Sequence, residues 1–189
     1  MTTQLHSKST SRPAIRSLPA LAAAVAVVLL ACSPLAAQRG DDAKRASKNG
    51  KVTGAIDGVS VTIEYGRPKV KGRTVWGQLV PYGQVWRTGA DEATTITFSG
   101  DVMVEGKRLP AGTYGLFSVP TEGGWTWVFN SVAKQWGAFS YDKAKDVLRV
   151  DVKPTAAEPV EELEFRIEGS TVVLRWEKLA VPMRIQKAA

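Results

Sequence analysis

The 189-residue chain predicts an all-β fold, a single antiparallel β-sandwich of jelly-roll-like or open-barrel form, behind a cleaved signal peptide. Three observations predict it. Apolar and polar residues alternate with period two over many short runs, glycine- and proline-centred turns separate those runs at regular spacing, and no segment of the presumptive domain has a convincing helical period.

The signal comes first. Lys8, Arg12 and Arg16 form a positive stretch without acids, Leu18 to Ala31 is an apolar run broken only by Pro19, and small residues follow. That run of about fourteen residues is short of the roughly 20 that a permanent membrane helix requires. A cleaved signal is therefore favoured over an uncleaved anchor. Two cleavage sites compete. Leu29-Leu30-Ala31-Cys32 has the form of a lipobox, which would make 1–31 the signal and Cys32 the acylated first residue, a lipid anchor to the membrane. Cleavage after Ala37 would discard Cys32 and release a soluble periplasmic or secreted protein.

Cys32 is the only cysteine and His6 the only histidine, and both are in or beside the signal. Neither disulfides nor thiol chemistry remain for the mature domain, which must hold together by packing. A domain of about 150 residues buries enough surface for that. Without histidine it has no Ser-His-Asp triad, no Cys-His pair and no imidazole metal ligand. No glycine-rich phosphate loop joins a strand to a helix, so no cofactor is expected. The signal holds three of the 25 basic residues and none of the 18 acids, leaving 22 against 18, or +4. That mild balance suits anionic envelope neighbours and is not a nucleic-acid footprint.

Residues 32–50 read as a flexible tether, since QRGDDAKRASKNG has no large apolar residue. The sandwich then occupies 51–189. Val59, Val61, Ile63 and Tyr65 share one face of its first clear strand. Ile96 and Phe98 alternate with threonines, Val102 and Val104 run into a Glu105-Gly106 turn, and Pro110-Ala111-Gly112 turns into Thr113 to Val119. Trp125, Trp127 and Phe129 face one way, followed by a plausible helical turn at Ser131 to Gln135. Leu148, Val150 and Val152 form another inward set, as do Leu163, Phe165 and Ile167. Glu168-Gly169-Ser170 leads into Val172, Leu174 and Trp176. Such alternation argues for antiparallel sheets with one face in water.

The pattern fails between residues 64 and 98, where glycines recur and Arg67, Lys69, Lys71, Arg73 and Arg87 accompany Trp76, Tyr82 and Trp86. A structureless loop of this length in a compact domain is unusual unless it is functional or packed by its own side chains. Tyr65-Gly66-Arg67-Pro68, Lys71-Gly72-Arg73, Val80-Pro81-Tyr82-Gly83 and Val85-Trp86-Arg87-Thr88-Gly89-Ala90 resemble an exported bacterial family, domain of unknown function 2911. Leu109-Pro110-Ala111-Gly112-Thr113-Tyr114 and Trp136-Gly137-Ala138-Phe139-Ser140-Tyr141 fit the same pattern. The resemblance spans roughly 52–178 and implies an envelope β-domain, without implying an activity. It departs at Asp91, where the family pattern would place asparagine.

Two readings of this segment stand side by side. In the structural one, Arg87 pairs with Asp91 or Glu92 while Trp86 plugs the core. In the binding one, Arg67 and Arg87 offer guanidinium forks to an anionic or glycan ligand of the envelope, with Trp76, Tyr82 or Trp86 as a stacking wall and Asp91 and Glu92 beside them. Trp125 and Trp127 divide similarly between core and sugar platform, with Phe129 favouring core. A non-catalytic binding or structural module is the leading expectation. The alternative is a carboxylate-dependent hydrolase of envelope glycans, with Glu64, Asp91 and Glu92 the clustered acids it would use.

Overall fold

The computed structural model describes residues 1–2 and 39–189. The expected signal and Cys32 lie outside the described residues. Of the unit Met1–Leu35 only Met1 and Thr2 are described, and everything below concerns the unit Ala36–Ala189.

Ten strands follow in order: β1 (Lys48–Ile56), β2 (Val59–Arg67), β3 (Thr94–Phe98), β4 (Val102–Val104), β5 (Lys107–Leu109), β6 (Gly112–Pro120), β7 (Trp125–Asn130), β8 (Asp146–Val152), β9 (Thr155–Glu168) and β10 (Thr171–Lys187). Six make one sheet in the order β1-β2-β3-β6-β7-β8, and four make the other, β5-β4-β10-β9. Neighbouring strands in both are antiparallel. The sheets are open and face each other, so the expected sandwich is the fold.

Sequence sets the joints. The β1–β2 turn has Asp57 at φ 49° and Gly58 at φ 80°, and the β4–β5 turn has Glu105 at φ 47° and Gly106 at φ 78°. Two consecutive left-handed residues match the right-handed twist of the flanking strands, which is why Asp-Gly and Glu-Gly close these hairpins. The inward residues of the alternating runs then meet. Val61, Ile63, Ile96, Leu116, Trp127 and Phe129 of one sheet and Leu163, Val172, Leu174 and Met183 of the other belong to one buried cluster.

β10 explains why its carboxy-terminal half escapes a simple period-two reading. Val172, Leu174 and Trp176 are buried at even positions, whereas Val181, Met183 and Ile185 are buried at odd ones. Pairing with β9 shifts register on both sides of Glu177, whose φ is 53°. This bulge moves the alternation by one residue, so the strand keeps one face to the core while pairing β9 first and β4 later.

Two expectations are corrected. Residues 39–50, read as tether, are docked: Asp42–Lys44 forms a 3-10 turn and β1 starts at Lys48, paired with Arg67. Ser131 to Gln135 is not helical, because its polar groups bond elsewhere. Val132 N–H donates to Asn130 Oδ1 at 3.0 Å, and Gln135 O accepts from Ala93 N–H at 3.0 Å.

Gly66 shows how tightly the irregular segment meets β2. A Cβ there would lie 2.2 Å from Ala90 O, whereas one on Gly123 would meet nothing within 4 Å. Gly66→Ala should therefore cost about 1–3 kcal/mol of stability by forcing backbone apart, with Gly123→Ala close to neutral, as read by denaturant unfolding.

Candidate functional site

The segment between β2 and β3 is packed by its own residues. Val75 and Val80 are buried, and Gly77 N–H to Val80 O and Val80 N–H to Val75 O, both 2.9 Å, close a tight loop. Lys69 bridges to Glu162 of β9, and Trp86 exchanges two backbone bonds with Ser118 of β6 at 2.8 and 2.9 Å. Beyond Trp86 the chain is held by buried hydroxyls: Thr88 Oγ1 donates to Ser118 Oγ at 3.0 Å, and Thr94 Oγ1 donates to Thr88 O at 2.8 Å. Thr88 and Asp91 take φ of 56° and 62°. Aspartate and asparagine tolerate that left-handed conformation better than most residues, so Asp91 preserves the backbone requirement that asparagine would meet.

The charge of Asp91 has a partner that the sequence did not reveal. Arg45 reaches Asp91 Oδ2 at 3.3 Å and forms a very short ion pair with Glu92. Arg39 is comparably covered, its side chain 9 % exposed. Its Nε donates to Asn49 Oδ1 at 3.1 Å, and its Nη1 donates to Glu64 O at 3.2 Å and Ala93 O at 3.1 Å. Nη2 donates to Ala90 O at 3.4 Å and Glu92 O at 3.0 Å. All five N–H groups of the guanidinium thus meet an acceptor. Burial pulls the Arg39 pKa down against the charge of Glu92, yet arginine remains a cation. Burial alone would raise the Glu92 carboxyl, but the Arg45 hydrogen bond, the backbone N–H groups of Glu92 and Gly40, and the Arg39 charge outweigh it. The pKa falls to about 2.

The seven residues singled out from sequence separate into different places. Arg67 pairs with Glu162 at 2.9 Å, in company with Lys69 at 3.0 Å. Arg87 is partly buried, and its Nε has no partner among the described residues; burial lowers its pKa, opposed by the Asp91 charge. Asp91 and Glu92 are held by Arg45, and Glu64 by Lys51 at 3.0 Å. A carboxylate with a pKa near 2 does not supply a proton at neutral pH. The clustered acids are therefore tied to cations.

The aromatic residues do converge. Trp86 is buried and stacks on Trp176 with ring centroids 5.8 Å apart and planes at 17°. Trp76 stands edge-on to Trp86, Trp125 and Trp176 at 6.0, 5.4 and 5.6 Å, the favoured quadrupole geometry. Where this cluster reaches the end of the sandwich, Trp76, Tyr82 and Trp125 line a pocket of about 250 Å³ with Glu122, Glu177 and Leu179. No lysine or arginine lines it. The indole N–H groups of Trp76 and Trp125 are buried without an acceptor among the described residues. Sequence reasoning named Trp76 and Tyr82 but missed Glu122 and Glu177, because the first sits in a hairpin turn and the second at the bulge of β10.

A family model described as a protein of unknown function (DUF2911) matches residues 47–185. The chain belongs to the DUF2911 family. No curated protein and no solved structure matches it. The match to the DUF2911 model begins one residue before β1 and ends two residues before the end of β10, so it takes in all ten strands but for those two residues and leaves Arg39 and Arg45 outside.

The Arg45–Glu92 pair sets an acid limit on stability. Because the folded-state pKa of Glu92 is below its ordinary 4.5, its contribution is complete above that value and disappears as pH falls towards about 2. Glu92→Gln should lower the melting temperature at pH 7 and leave it nearly unchanged relative to the parent near pH 2. Equal losses at both pH values would refute the assignment.

Proposed function

We propose that this DUF2911 domain is an exported, non-catalytic binding module of the cell envelope whose ligand is a glycan. The aromatic pocket at the end of the sandwich carries the reading. Its three rings, Trp76, Tyr82 and Trp125, are joined in the lining by Glu122 and Glu177, the latter accepting from Lys178 N–H at 2.7 Å. A sugar ring combines an apolar C–H face, which packs against an aromatic face, with hydroxyls that donate to carboxylates. Buried indole N–H groups that lack an acceptor cost roughly 1–3 kcal/mol each, and a ligand oxygen admitted beside Trp76 or Trp125 would recover part of that.

The absence of cations from the pocket lining favours a hydroxylated ligand over an anionic one. Arg67, the proposed fork, is committed to Glu162. The hydrolase alternative loses its carboxylates to Arg39, Arg45 and Lys51. Export is supported by the order of charge, apolar run and small residues at the amino terminus, and lipid anchoring by the cysteine that ends that run.

Tyr82 is 39 % exposed, so Tyr82→Ala should spare the fold while weakening retention on purified cell-wall glycan roughly tenfold, the effect of removing one stacking contact. Glu177→Gln should act in the same direction, and Arg87→Ala should leave binding intact. Retention lost only in Arg87→Ala would restore the anion-fork reading, and capture of quaternary ammonium compounds in place of glycan would make the pocket a cation cage. For the anchor, the mass of the mature amino terminus should show an acylated Cys32; an unmodified terminus at Gln38 would exclude it.

A further inference from the structure

We propose that the 131–141 loop is a membrane-contact surface that places Trp136 and Phe139 in the interfacial zone of an anionic bilayer. The inference rests on the envelope location proposed above and is independent of the glycan pocket. Five of the six tryptophans are in the aromatic cluster. Trp136 is outside it and 60 % exposed, Phe139 is 88 % exposed, and Val132 adds a third apolar side chain at 41 %.

This exposure does not come from a loose loop. Gly137 N–H donates to Asp91 O and Ala93 N–H to Gln135 O, both at 3.0 Å. Ala138 and Tyr141 pack on Phe117 and Val128, buried on the outer face of the six-stranded sheet. Arg149 donates to the Tyr141 hydroxyl at 2.7 Å and to Asp146 Oδ2 at 2.8 Å. The backbone is pinned while two aromatic side chains are held away from their own core. Aromatic side chains displayed in this way are the ones that partition to a bilayer interface.

Charge and position choose the bilayer as the occupant. Lys134, Lys143 and Lys145 are exposed on or beside the loop and form no ion pair among the described residues. Of the neighbouring acids, Asp146 is engaged by Arg149, and Asp142 caps the short turn of Lys143–Lys145. Each lysine near an anionic leaflet adds electrostatic attraction that salt screens. Arg39 lines one cleft of about 250 Å³ with Ala133, Lys134 and Gln135, so Arg39 sits beside this loop. Cys32 is seven residues earlier, at most roughly 25 Å of extended chain. An acyl anchor there would hold this end of the domain against the lipid.

The test uses the mature form that begins at Gln38, the product of the second cleavage site, so that no acyl chain contributes. It should co-sediment with vesicles of equal parts phosphatidylglycerol and phosphatidylcholine and poorly with phosphatidylcholine alone, with binding falling as salt rises. A blue shift of indole emission on binding should vanish in Trp136→Phe. Phe139→Asp should weaken binding at least tenfold with an unchanged melting temperature. Absence of sedimentation, or full binding by Phe139→Asp, overturns the proposal. So does a wild-type dimer that Phe139→Asp converts to monomer without vesicle binding, since the occupant would then be a second copy. Fractionation of cells separates this failure from that of the envelope reading: a chain found in the envelope that ignores vesicles sinks the loop proposal alone.

Discussion

The guanidinium of Arg39 is the constraint around which the irregular half of this domain is arranged. Its five N–H groups gather carbonyls from β2 and from the 90–93 turn, together with Asn49 of β1. A carbonyl pointing inward with no donor would carry a desolvation cost, and a turn with Thr88 and Asp91 both at positive φ has few regular ladder bonds with which to avoid it. One planar group with five donors solves that problem at a single point. Arg45 then pairs with the carboxylates of Asp91 and Glu92 in that turn, and Arg39 supplies the second positive charge. Removing either arginine would leave acceptors or charges without partners, which is why a segment devoid of large apolar residues is nonetheless part of the fold.

That turn in turn shapes the two surfaces for which a role is proposed. Trp86 enters the core one strand-width from Ser118, and its stacking on Trp176 gives Trp76 a perpendicular wall to meet. The pocket formed by Trp76, Tyr82 and Trp125 therefore depends on the path of the chain between β2 and β3. On the opposite flank, Asp91 O and Ala93 N–H supply the bonds that pin the 131–141 loop. A single irregular connection thus orients an aromatic pocket with carboxylates on one side and an exposed aromatic loop with lysines on the other.

How far the sequence could be read follows from the kind of interaction involved. Strands whose inward faces alternate strictly, such as Val59–Tyr65 or Trp125–Phe129, were legible because hydrophobic burial has the period of the pleat. The end of β10 was not, because one left-handed residue at Glu177 changes the parity and a period-two template stops there. Residues 39–50 were misread for a different reason. Their docking relies on hydrogen bonds and ion pairs to carbonyls distant in sequence, and such bonds leave no trace in hydropathy. The aromatic members of the pocket stood out by composition, whereas Glu122 and Glu177 join them only through the turn and the bulge. The expected Arg87–Asp91 pairing was reasonable by proximity, but it could not foresee that Arg45 would compete for the same carboxylate.

The position of Arg39 also bears on the amino terminus. Either cleavage site, before Cys32 or after Ala37, leaves Arg39 and Arg45 in the mature chain, so the clasp is compatible with a tethered and with a released product. The alternatives differ in what precedes it. A terminus at Gln38 would put a free amino group one residue before Arg39 in sequence, adding positive charge to a stretch that already holds two arginines. A terminus at Cys32 would move that amino group seven residues away in sequence and, were the cysteine acylated, leave a link too short for the domain to move far from the leaflet. The tethered product would carry the exposed Trp136 and Phe139 close to the leaflet, the arrangement that the membrane-contact proposal requires.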